Sequence, residues 1–74
     1  MRPNLELRDK MIQAGIPHGV WQSFLVAQDV AAVDRLVALA QKRIEEWSAN
    51  GVKPELLDPD RQIIAWAPKV KALF

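Results

Sequence analysis

Cysteine is absent from this chain, which removes disulfides and thiolate metal sites from the account. There is a single histidine, His18, so a multi-histidine metal site is excluded as well. No apolar run approaches the roughly 20 residues needed to span a bilayer. The opening MRPNLELRDK lacks the apolar segment of a secretory signal. The expectation is a cytoplasmic protein with no cofactor and no membrane role. An excess of one charge is also missing. Residues 1–37 carry four basic and four acidic side chains, and residues 38–74 carry six and five. Neither half is a polyelectrolyte tail, and neither supplies the basic field that grips phosphates.

What remains is 74 residues, half of them hydrophobic. That length makes one domain, residues 1–74, with a thin core, because small chains bury little of their surface. Without disulfides or metal to compensate, the apolar excess points to a protein partner, either another protein or a second copy forming a homodimer.

Punctuation at Gly15 to Pro17, Gln28-Asp29, Asn50 to Pro54 and Asp58-Pro59 divides the chain into four helical segments. The first covers about Leu5 to Ala14. Asn4 is its N-cap, Leu7, Met11 and Ala14 share one face, and Gly15 supplies the left-handed stop. The second covers about Pro17 to Gln28, with Pro17 at the first helical position and an apolar stripe of Val20, Trp21, Phe24 and Leu25. The third opens on Asp29 as N-cap. Val30, Val33, Leu36, Val37, Ala40, Ile44 and Trp47 follow helical spacing until Asn50-Gly51 ends it. The fourth opens at Asp58, which caps, with Pro59 at the first position and Asp60 placing negative charge at the positive helix end. Ile63, Ala67, Val70 and Phe74 then continue one face past Pro68. A proline inside a helix costs about 3 kcal/mol in the ideal case, so the segment is expected to kink or break there. Residues 52–57 form a loop or single turn that packs Leu56 and Leu57.

Helical spacing dominates, and no run alternates as a half-buried strand does. The fold expected is all-α, a compact bundle of four helices with the last kinked or broken at Pro68. The third helix spans roughly 20 residues, about 30 Å. The first two are about half as long and can cover only its first half. Ile44 and Trp47 therefore need the fourth helix or another chain.

Ala14-Gly15-Ile16-Pro17-His18-Gly19-Val20-Trp21-Gln22-Ser23-Phe24 resembles the turn and second helix of a DNA-binding helix-turn-helix. Gly15 stands in the turn, with Ile16, Trp21 and Phe24 following at about the expected places. That resemblance implies a small transcriptional regulator reading bases with His18, Gln22 and Ser23; Gln22 has the chemistry to pair with an adenine edge. It departs at Met11, where such motifs use a small residue. It also departs in charge, since no Lys or Arg stands between Lys10 and Arg35, while affinity for DNA comes largely from neutralised phosphates. The same helix, Gly-apolar turn, second helix and Asp-Val opening of a third also resembles ubiquitin-associated-type three-helix domains. There Ile16 would anchor an apolar patch that binds protein. The third helix here is much longer, and a fourth follows.

Catalysis is not expected, because His18 has no positioned partner and so small a chain rarely forms a pocket. Arg43, Glu45 and Glu46 read as a solvated face in which Lys42 and Glu46 pair at i, i+4. The three tryptophans are a richer signal. Trp21 belongs to the core stripe. Trp47 and Trp66 either pack on each other or serve as interface anchors. The run from Trp66 to Phe74 sets Val70, Leu73 and Phe74 beside Lys69 and Lys71, an amphipathic segment able to close over Ile44 and Trp47 or to dock in a partner's groove. The protein-binding set is therefore Trp47, Trp66, Val70, Leu73 and Phe74. Read as a complete chain with its own start methionine, the sequence suggests a small accessory or inhibitory factor acting on a larger protein, of the kind that bacteriophages and mobile elements encode.

Overall fold

The computed structural model describes residues 2–74, and helix is the only regular structure among them. α1 is Leu5–Gln13, α2 is His18–Phe24 and α3 is Val30–Ala49; a 3-10 turn, Pro54–Leu57, then runs directly into α4, Asp58–Lys71. The all-α, four-helix expectation is met.

The helix ends form where the local chemistry asks for them. The Asn4 side chain accepts from the Leu7 N–H at 3.1 Å, and that of Asp29 accepts from the Ala32 N–H at 2.7 Å. Each satisfies one of the donors that the first turn leaves without a partner. Both long C-terminal caps are Schellman motifs. After α1, Gly15 N–H donates to the Ile12 carbonyl and Ile16 N–H to Met11; after α3, Gly51 N–H donates to Ser48 and Val52 N–H to Trp47. The motif needs a left-handed residue next to the cap, and Gly15 and Gly51 supply it at φ of 79° and 76°.

Four local details differ from the sequence reading. α2 ends at Phe24 rather than near Gln28, and Pro17 precedes it as N-cap instead of entering it. The cause lies in Asn4, whose backbone N–H donates to the Leu25 carbonyl at 2.7 Å and whose side-chain amide donates to the Ala27 carbonyl at 2.8 Å. Those carbonyls are held by the start of α1, and residues 25–28 turn instead of continuing. Asp58 is the first helical residue of α4 rather than its cap, because the 3-10 turn feeds the helix without a break; its carboxylate pairs with Arg61 at 3.3 Å. Of the two outcomes expected at Pro68, a kink or a break, the break does not occur: α4 continues to Lys71. Pro68 is exposed, so its ring and missing N–H fall on the side of the helix away from the core. Leu57 is buried as expected, whereas Leu56 is exposed.

α4 is the central element. It lies along α3 and also packs on α2, while α1 packs on α2. The expectation that α1 and α2 are the cover for the first half of α3 is corrected: its principal neighbour is α4. The core joins Leu7 and Met11 of α1, Ile16 of the turn, Val20 and Phe24 of α2, Val33 and Ala40 of α3, and Ile63, Ala67 and Val70 of α4. Trp21 packs half-buried against it. α3 accounts for most of the 38 Å long axis. Its two fully buried residues, Val33 and Ala40, lie in its first eleven positions. Beyond Ile44 it is exposed, so its end projects past the main core.

Candidate functional site

The structure disperses the aromatic and apolar set that the sequence suggests for protein binding. Val70 is fully buried, and Trp66 and Leu73 are half-buried against the core. Only Trp47 and Phe74, 44% and 43% exposed, present substantial surface, and they do so in different places. α3 and α4 run antiparallel, since Lys71 reaches Asp34 at one end and Arg43 reaches Asp60 toward the other. Trp66 therefore comes opposite the middle of α3. Trp47 lies near the C-terminal end of α3, more than roughly 10 Å away along the axis at 1.5 Å per residue. The two tryptophans do not form the mutual contact considered above. The tail does not close over Ile44 and Trp47 either. Lys10 Nζ donates to the Leu73 carbonyl at 3.3 Å, and Leu73 and Phe74 share a shallow depression with Asn4, Leu7 and Gln28. The two lysines of the tail are also engaged: Lys69 lies 5.5 Å from the Trp66 ring centre, and Lys71 pairs with Asp34 at 2.9 Å.

His18 and Gln22 are exposed on α2, a helix of seven residues. Ser23 is half-buried and its hydroxyl donates to the Gly19 carbonyl at 3.4 Å. His18 stands edge-on to Trp21, with ring centres 4.8 Å apart and planes at 84°. Two turns of helix thus present two polar side chains and no cation.

The residues that do converge were not singled out by the sequence. Leu5, Val26 and Leu39 are 53%, 39% and 49% exposed. Val26 and Leu39 line one open groove with Ala27, Ala32, Arg35 and Leu36. The groove adjoins a second depression in which Leu5, Arg2 and Asn4 meet Val26, Ala32 and Arg35. Three elements build this continuous surface. α3 contributes one face, the 25–28 corner contributes Val26, and the start of α1 contributes Leu5. The two Asn4 hydrogen bonds to Leu25 and Ala27 hold the corner against α1, so Asn4 positions the groove. One signal was available in the sequence: Leu39 stands off the Val33, Leu36, Val37, Ala40 stripe, a large apolar side chain on the polar side of the helix. Val26 carried none, because the expected second helix ran through it.

A second constellation also emerges only in three dimensions. Asp60 is 7% exposed, and its Oδ1 accepts from both Nε and Nη2 of Arg43, the former at 3.1 Å. Arg43 is therefore not part of a solvated face. It crosses to α4 and neutralises a buried carboxylate. Lys42 and Glu46 behave as expected, exposed and 3.9 Å apart. Among the described residues every buried side-chain nitrogen or oxygen has a hydrogen-bond partner, and no three His, Asp or Glu side chains gather as metal ligands. No helix among them is long and apolar enough to cross a membrane. No known family model matches the chain, and no curated protein or solved structure matches it.

Proposed function

We propose that the protein is a small interaction module that acts on a larger protein as an accessory or inhibitory factor, without catalysing a reaction. The observation that carries this reading is the open apolar groove of Val26, Ala32, Leu36 and Leu39, continued by Leu5. Scattered exposed leucines are ordinary on a small protein; here Leu5, Val26 and Leu39 meet on one continuous surface flanked by Arg2 and Arg35, an apolar patch with a polar rim of the kind that supports an interaction reading. The groove replaces the C-terminal residues as the proposed contact surface, since Val70 is inaccessible and Trp47 and Phe74 lie apart.

Affinity capture from a lysate of the source or host cell, with nuclease and at high salt, tests this reading. A stoichiometric protein partner should survive nuclease, and its apolar contact should keep part of the capture as salt rises. Capture that disappears with nuclease would instead favour the nucleic-acid reading, for which His18, Gln22 and Ser23 are the candidate contacts.

A further inference from the structure

We propose that the groove beside α3 takes an amphipathic helix from the partner, with apolar side chains against Val26, Leu36 and Leu39 and carboxylates reaching Arg2 and Arg35. The proposal rests on the protein-binding reading above and names the chemistry of what binds.

The shape comes first. Ala32, Arg35, Leu36 and Leu39 stand at i, i+3, i+4 and i+7 of α3. They form a stripe two turns long, about 10 Å, of the kind a second helix packs along. Val26 supplies the opposite side from the 25–28 corner. An extended peptide gains affinity by pairing its backbone with an open strand edge, and no strand exists among the described residues. The carbonyls of Leu25 and Ala27 at the corner are already occupied by Asn4. A helix brings its own backbone hydrogen bonds and asks only for an apolar surface, which is what this groove offers.

Charge then selects the partner's chemistry. Arg8, Lys10, Lys42, Arg43, Arg61 and Lys71 each pair with a carboxylate of this chain. The other four cations make no ion pair among the described residues: Lys69 lies over the Trp66 ring, Lys53 precedes the 3-10 turn, and Arg2 and Arg35 line the same depression at the mouth of the groove. The carboxylate that shares that depression, Asp29, is held as the cap of α3 by the Ala32 N–H at 2.7 Å. Two free guanidinium groups beside an apolar stripe match a helix that carries Asp or Glu next to its apolar face. They disfavour a second copy of this chain, because a two-fold contact through this surface brings like patches together and would face arginines with arginines.

The test is a selection from a random 16-residue peptide library displayed on phage, run against the intact protein with Leu39→Glu protein as the counter-selection. Enriched sequences should place apolar residues at i and i+3 or i+4 and should be rich in Asp and Glu. A synthetic peptide of the enriched sequence should bind at least about tenfold more weakly to Arg35→Glu protein, and more weakly as salt rises. Enrichment of neutral or basic sequences, equal binding to Leu39→Glu protein, or no enrichment overturns the proposal. So does a dimer in sedimentation that Leu39→Glu dissolves, which would make a second copy the occupant. Lysate capture with the same variant separates the two levels. If Leu39→Glu loses the captured protein but no acidic helix is selected, the interaction reading stands and the helix does not. If Leu39→Glu captures as well as the parent, both fail.

Discussion

The two ends of the α3–α4 hairpin are fastened by the same chemistry and depend on it differently. At one end Lys71 reaches Asp34 at 2.9 Å between side chains that are 40% and 57% exposed; toward the other, Arg43 reaches Asp60, whose side chain is only 10% exposed. The first pair decorates a region already held by apolar packing, because Val33 and Val70, the chain neighbours of Asp34 and Lys71, are fully buried. The second stands at the edge of the main core, next to the end of α3 that projects past it, with Leu57 buried apart from the principal cluster. An exposed ion pair contributes little, since water serves both charges nearly as well. A buried carboxylate is different, because removing Arg43, the one counter-charge it has among the described residues, leaves it in a medium that solvates it poorly. Distance does not rank these two bridges; what lies around each of them does.

That contrast can be broken from its strong side first. Phe24→Ala removes the largest fully buried side chain and should cost about 3–5 kcal/mol, enough to unfold much of so small a domain. Thermal melts followed by circular dichroism would show it, and a melt within a few degrees of the parent would mean that the core lies elsewhere. Arg43→Met should cost about 2 kcal/mol. That is less than a fully buried pair, because the Arg43 side chain is itself 36% exposed, yet well above Lys71→Met, which should stay within about 0.5 kcal/mol. Urea titrations of the two variants side by side compare the hairpin's ends directly, and equal losses would refute the distinction drawn between them.

Smaller effects sharpen the account of the corners. Asn4→Ala removes the α1 cap and one of the two ties to the 25–28 corner, and should cost about 1–2 kcal/mol. Amide exchange should rise at residues 25–28 as well as in α1; a loss confined to α1 would show that the cap matters and the tie does not. Gly15→Ala should cost about 1 kcal/mol. A Cβ there meets no atom within 4 Å, so the whole penalty comes from the backbone angle, and Gly15→Asn should recover part of it. Leu39→Glu, like Lys71→Met, should change the stability read from urea titration by no more than about 0.5 kcal/mol, since the side chain is half exposed.

Local features were the most legible in the sequence. Asn4, Asp29, Gly15 and Gly51 mark helix ends because each solves a problem of unpaired backbone groups within a few residues, so the local spelling carries the answer. The α3 stripe was legible for the same reason: Val33 and Ala40 are its buried members. What the sequence did not show is set by contacts between distant residues. α2 stops early because Asn4, more than twenty positions away, takes the carbonyls of Leu25 and Ala27. Asp60 reads as a helix-end charge until Arg43 arrives from α3. Val70 reads as an interface residue until the packing of α4 encloses it. The groove combines α1, the corner and α3, and no single stretch of sequence spells it.

The most direct test of the groove as the functional face is capture of the partner from lysate by four proteins in parallel: the parent, Leu39→Glu, Trp47→Ser and Phe74→Ala, each first shown to be folded. The groove account predicts that Leu39→Glu alone loses the partner. Retention by Leu39→Glu together with loss by Trp47→Ser or Phe74→Ala would contradict it and return the site to the exposed aromatics.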